Sequence, residues 1–140
     1  MARGDRWDDN WLVIRAEVTA PAASWSFTDA CLLVDEARKL SAWLRAVADG
    51  RRPDAKPDSE GLLAPDLSFL EPVLAFSQVR WHDGTGVLRV HLSLEALPPQ
   101  LQHDEDLDLH QHVIEIETDR TELMRAAEEW DRLLARFPLR

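Results

Sequence analysis

Residues 10–50 constrain the fold most, because two stretches of period-two alternation run directly into one of period 3.6. Leu12, Ile14, Ala16 and Val18 alternate with Val13, Arg15 and Glu17, the pattern of a half-buried strand. Thr19-Ala20-Pro21-Ala22 interrupts it, since proline has no N–H to give to a ladder. Trp25 and Phe27 then alternate with Ser24, Ser26 and Thr28, which predicts a second strand and a hairpin. Ala30-Cys31-Leu32-Leu33 is an apolar connector or a third short extended segment. A helix is predicted from about Asp35, with Asp35 and Glu36 complementing its dipole. Ala37, Leu40, Leu44 and Val47 form its apolar stripe, widened by Trp43, and Gly50 supplies the left-handed residue that ends it.

The rest of the chain adds strands and one more helix. Gly50 to Pro65 holds three prolines and two glycines without periodicity, which reads as a flexible loop at about 51–65 or as a partner-binding arm. Leu67–Phe69 and Val73–Val79 are predicted strands around Pro72. Asp83-Gly84 marks a hairpin before a strand over Val87–Leu94. There Leu88, Val90, Leu92 and Leu94 face one side, and Arg89, His91 and Ser93 the other. Pro98-Pro99 ends that strand, residues 100–108 form an acidic loop, and Leu109–Glu117 is a further strand. The final helix opens on a capping box, Asp119 with Glu122. Its apolar face is Leu123, Ala126, Ala127, Trp130, Leu133, Leu134 and Phe137, and Pro138 stops it. Strands joined by tight turns pair antiparallel. The expected fold is therefore α+β, one domain over 1–140, with a curved, mainly antiparallel sheet and two helices packed on one side.

Charge narrows the partners. The formal charge is −10, and the second half carries most of it: 7 basic against 14 acidic side chains over residues 71–140, 9 against 12 over residues 1–70. Such a surface repels nucleic acid and anionic lipid and favours a cationic protein partner or plain solubility. Cys31 is the single cysteine, which excludes an intrachain disulfide and a cysteine-rich zinc site. The charged N-terminus is unlike a signal peptide, and no stretch approaches the roughly 20 apolar residues of a membrane span. A cytoplasmic protein is the expectation.

Few residues suggest chemistry. His110 and His112, two apart on a predicted strand, would share a face, and His91 on a neighbouring strand would offer a third metal ligand; the alternative is exposed histidines on a solvent face. The run His103-Asp104-Glu105-Asp106-Leu107-Asp108 lacks the central glycine and closing glutamate of a calcium loop, so it reads as a solvated charge run. It also offers a docking patch for a basic protein surface, which makes Asp104, Glu105, Asp106 and Asp108 the candidate partner-binding residues. Glu71-Pro72 reads as a strand-end turn rather than a catalytic carboxylate. No G-x-S-x-G elbow and no phosphate-binding glycine loop is present. Trp25, Trp43 and Trp130 fall in core-facing patterns, whereas Trp7, beside Asp8 and Asp9, suits an interface anchor or a loose terminus. No enzyme activity and no cofactor is expected.

Several of these residues together resemble the WapI family of bacterial immunity proteins. They are Asn10-Trp11-Leu12, Ser24-Trp25-Ser26-Phe27, Cys31-Leu32 leading to Trp43-Leu44, the Phe69-x-Glu71-Pro72-x-Leu74-x-Phe76 segment and the closing Phe137-Pro138-Leu139-Arg140. Val73 stands where the family pattern has asparagine, and Ala30 where it has proline. The resemblance implies a small cytoplasmic protein that neutralises the C-terminal domain of a secreted polymorphic toxin, one similar to a tRNA-cleaving nuclease. An acidic inhibitor suits a basic, RNA-binding target. Two readings from other classes stand beside it: a general acidic interaction module, and a metal-binding or enzymatic domain around His91, His110 and His112.

Overall fold

A computed structural model of the chain describes residues 11–21 and 23–137. Trp7, with Asp8 and Asp9, and Pro138, the expected helix stop, lie outside the described residues. Strand β1 (Trp11–Thr19) pairs antiparallel with β2 (Ser24–Leu33), from Thr19 opposite Ser24 to Trp11 opposite Leu33. A register shift between Leu12 and Ile14 turns Val13 outward, where it is 68% exposed. The apolar run Ala30–Leu33 is thus the end of β2. It does not alternate because Cys31 and Leu32 are both buried, and burial pushes the Cys31 thiol up to about 11.

Helix α1 (Val34–Ala48) follows without a loop. Glu36 caps it, accepting the Leu33 N–H at 3.0 Å, while its other oxygen accepts the Leu70 N–H at 2.8 Å. At the far end Gly50 has φ +71°, with Gly50 N–H on Val47 O and Arg51 N–H on Ala46 O, both 2.9 Å, the paired bonds of a Schellman stop. Ala37, Leu40, Trp43 and Val47 are buried as their spacing predicts, but Leu44 is half-buried at the margin of the stripe.

The second sheet has the order β3-β4-β5-β6, antiparallel throughout: β3 (Leu67–Ser68), β4 (Leu74–His82), β5 (Thr85–Leu92) and β6 (His112–Asp119). The strands therefore divide into a two-stranded and a four-stranded sheet, where one curved sheet was expected; the α+β class holds. Asp83 and Gly84 have φ of 52° and 75°, so both central residues of the β4–β5 turn are left-handed, as a two-residue hairpin requires. Helix α2 (Arg120–Leu134) starts on Asp119, whose carboxylate accepts the Glu122 N–H at 2.8 Å. It runs antiparallel to α1: Arg120 pairs with Asp49 at 3.1 Å at one end, and the Trp130 indole donates to Ala37 O at 2.7 Å at the other.

One apolar core joins all of these elements, with Leu12 and Phe27 from the hairpin, Trp43 and Val47 from α1, Leu74 and Leu92 from the large sheet, and Leu123 and Leu134 from α2. Fully burying side chains of this size contributes about 1.5–3 kcal/mol each. The Trp25 indole donates to Ala96 O at 2.9 Å and ties β2 to the turn after β5, so the two sheets are linked by a directional bond as well.

Segment 51–66 bonds to the large sheet along its course. Ala55 N–H bonds Gln78 O at 2.7 Å, the Gln78 amide donates to Arg52 O and Asp54 Oδ1, and Asp66 N–H bonds Phe76 O at 2.8 Å. Leu63 and the Gln111 side chain exchange two bonds, of 2.9 and 3.0 Å. The chain thus reaches from the free edge of β4 to the residue before β6, about two strand spacings or roughly 10 Å.

Candidate functional site

The three histidines are placed on different parts of the large sheet. Register puts Leu92 opposite His112 and Val113 opposite His91, so His112 shares the core face with Ile114, and His91 points to the other face. His110 is not on a strand: β6 begins at His112, and His110 sits in the preceding turn with φ +68°. The expected i, i+2 pair on one strand face does not form, because that left-handed residue breaks the extended chain. Among the described residues no group of three His, Cys, Asp or Glu side chains is arranged to hold a metal ion.

His91 has a structural task instead. It is 0% exposed, with Nδ1 2.6 Å from His110 O and Nε2 2.8 Å from Ser77 Oγ. The carbonyl can only accept, so Nδ1 donates to it; in the neutral ring that burial favours, Nε2 then accepts from the Ser77 hydroxyl. Burial holds its pKa below the ordinary histidine value, against the opposing effect of the His110 carbonyl. Burial alone lowers His110 and His112 in the same direction. His110 N–H is in turn held by Ser93 Oγ at 2.9 Å. The end of the acidic loop is therefore fastened to the sheet through a buried Ser77–His91–His110 chain.

That loop is the candidate protein-binding surface. It leaves β5 through two 3₁₀ turns, Leu94–Ala96 and Pro99–Leu101; Leu94 opens the first with φ +54° instead of extending the strand. Within it Asp104 Oδ1 accepts the Asp106 N–H at 3.0 Å, and Asp104 O accepts the Leu107 N–H at 3.3 Å, while Leu107 turns inward. Asp104, Glu105, Asp106 and Asp108 are all exposed, and none joins a salt bridge among the described residues. Four carboxylates are thus presented together on a loop anchored at both ends. Such an arrangement steers and orients a cationic partner.

Two further surfaces escaped the sequence reading. An apolar groove of about 460 Å³ lies between β1 and the end of α2, lined by Trp11, Val13, Trp130, Leu133 and Phe137. Leu133 and Phe137 are about half exposed there, although helical periodicity assigned both to the core. The other surface is the outer edge of β6, where Glu115, Ile116 and Glu117 are all exposed. Their pattern marked a strand but could not show that no neighbour among the described residues pairs beyond it.

The model of the immunity protein WapI-like family matches residues 2–138. No curated protein and no solved structure matches the chain.

Proposed function

Because the chain belongs to the WapI-like family of immunity proteins, we propose that it neutralises its toxin by stoichiometric, non-catalytic binding, and that the target is a basic, nuclease-like C-terminal toxin domain met in the cytoplasm. The observation that carries this reading is the exposed acidic loop of Asp104, Glu105, Asp106 and Asp108, without ion pairs among the described residues, on a chain of net charge −10. A nuclease presents cationic groups to nucleic-acid phosphates, and an inhibitor with fixed carboxylates competes for the same field. Charge of this kind acts mainly on encounter, whereas the lifetime of the complex depends on desolvated apolar contacts.

The test is stopped-flow association with the toxin domain encoded beside this gene, at two salt concentrations, for wild type and a variant with Asp104, Asp106 and Asp108 changed to Asn and Glu105 to Gln. The on-rate is expected to fall as salt rises, because screening shortens the Debye length to about 8 Å at physiological ionic strength. It is expected to fall further in the four-site variant than after the same number of changes in residues 51–65. An on-rate indifferent to both salt and substitution would leave the loop a solvated surface.

A further inference from the structure

The outer edge of β6 carries a second, more specific recognition pattern. Arg120 N–H bonds Gly84 O at 2.9 Å, which makes that pair a hydrogen-bonded one and fixes the parity of the whole ladder. His112, Ile114, Ile116 and Thr118 therefore bond inward to β5, and the backbone groups of Val113, Glu115 and Glu117 point outward. Among the described residues no other hydrogen bond engages the backbone of Val113–Glu117, and β6 is the last strand of its sheet. The strand is eight residues long, with no proline and no bulge in its pairing, so its backbone is open to pairing and only the charges of Glu115 and Glu117 guard it.

Its side chains decide what such an edge accepts. Glu115 and Glu117 lie on the face with Arg89, and Arg89 reaches Glu115 at 3.1 Å, which leaves Glu117 without an ion-pair partner among the described residues. On the opposite face Ile116 is 46% exposed beside Ile114. A second copy of the chain is disfavoured, because antiparallel pairing centred on Ile116 sets Glu115 of one copy against Glu117 of the other, like charge against like. An extended segment that alternates Lys or Arg with apolar side chains satisfies both faces at once.

Resting on the immunity reading above, we propose that the free edge of β6 takes up such a segment of the toxin domain as an added antiparallel strand, with cationic side chains on the Glu115–Glu117 face and apolar ones over Ile114 and Ile116. Backbone bonds supply affinity in this mode and the two faces supply specificity.

The test is residue-resolved amide hydrogen exchange by NMR, with the toxin domain encoded beside this gene as the probe. In the free protein the Val113, Glu115 and Glu117 amides should exchange fast and the Ile114, Ile116 and Thr118 amides slowly. In the complex the first three should become protected, at least tenfold slower. Two variants accompany this: Glu117→Gln removes the charge alone, and Glu117→Pro also removes one outward donor while leaving the inward ladder intact. Glu117→Pro should weaken binding about tenfold beyond Glu117→Gln, the scale of a lost backbone bond plus strand strain. If the proline variant does not fold, the wild-type exchange pattern decides. A toxin domain that binds while Val113, Glu115 and Glu117 stay unprotected overturns the edge proposal and spares the immunity reading. One that does not bind overturns both.

Discussion

Adding a single methyl group at Gly86 tests the hairpin that sets the position of β6. A Cβ at Gly86 would lie 2.1 Å from Arg80 O, 2.8 Å from the Trp81 ring and 2.9 Å from Trp81 Cα. These fall roughly 0.6–1.4 Å short of the ~3.5 Å at which carbon contacts become favourable, and two of the three obstacles are backbone, so no rotamer change relieves them. Gly86 is paired directly with Trp81, just beyond the register shift between Gln78 and Arg80. Overpacking of buried sites costs about 1–3 kcal/mol, and a backbone obstacle places Gly86→Ala near the top, about 3 kcal/mol. At roughly 2.1 cal/mol/K of unfolding entropy per residue, that lowers the melting temperature of a chain this size by about 10 °C. Gly61→Ala is the control: nothing lies within 4 Å of its Cβ, and its φ of +81° alone carries the cost, about 1–2 kcal/mol. Urea unfolding with linear extrapolation measures both. Gly86→Ala no more destabilising than Gly61→Ala would refute the β4–β5 register and with it the placement of the β6 edge.

Leu40→Ala should cost about 2–5 kcal/mol in the same assay and Leu44→Ala distinctly less, because Leu40 is buried and Leu44 half-buried; equal costs would mean the helix is rotated on the core. Stability should also fall with acid. His91, His110 and His112 all have folded-state pKa values below that of a free histidine, so the unfolded chain binds their protons first. Their contribution is complete above about pH 6.5 and is lost as pH drops from there through the lowered values. Thermal melts from pH 7.5 to 5 check this, and His91→Gln should flatten part of the slope; a melting temperature that rises over that range would contradict the burial of these rings.

The helices were legible because their signals are local: the stripe from Ala37 to Val47, the Gly50 stop and the Asp119–Glu122 cap all survive in the structure. The Asp83-Gly84 turn was legible for the same reason. The division into two sheets was not, since it depends on which distant strands meet, and no local alternation encodes that. Alternation also misjudged His91. On a strand whose other face is apolar it reads as solvent-facing, yet it is completely buried, with His110 packed against it. Leu94 and the His110 region were assigned to strands because both are followed or preceded by alternating residues, and a positive φ leaves no mark on an apolar or histidine side chain. The acidic loop was visible as composition, whereas its anchoring through Ser93 and His91 required the fold.

The central claim is that this chain protects by holding its toxin, and co-expression tests it most directly. Cells expressing the cognate toxin domain should stop growing, and cells that also express this protein should grow. The two proteins should then co-purify in fixed stoichiometry, with the toxin domain intact in mass. Continued growth arrest at equal expression, or rescue with no complex and a cleaved or modified toxin domain, would contradict neutralisation by binding.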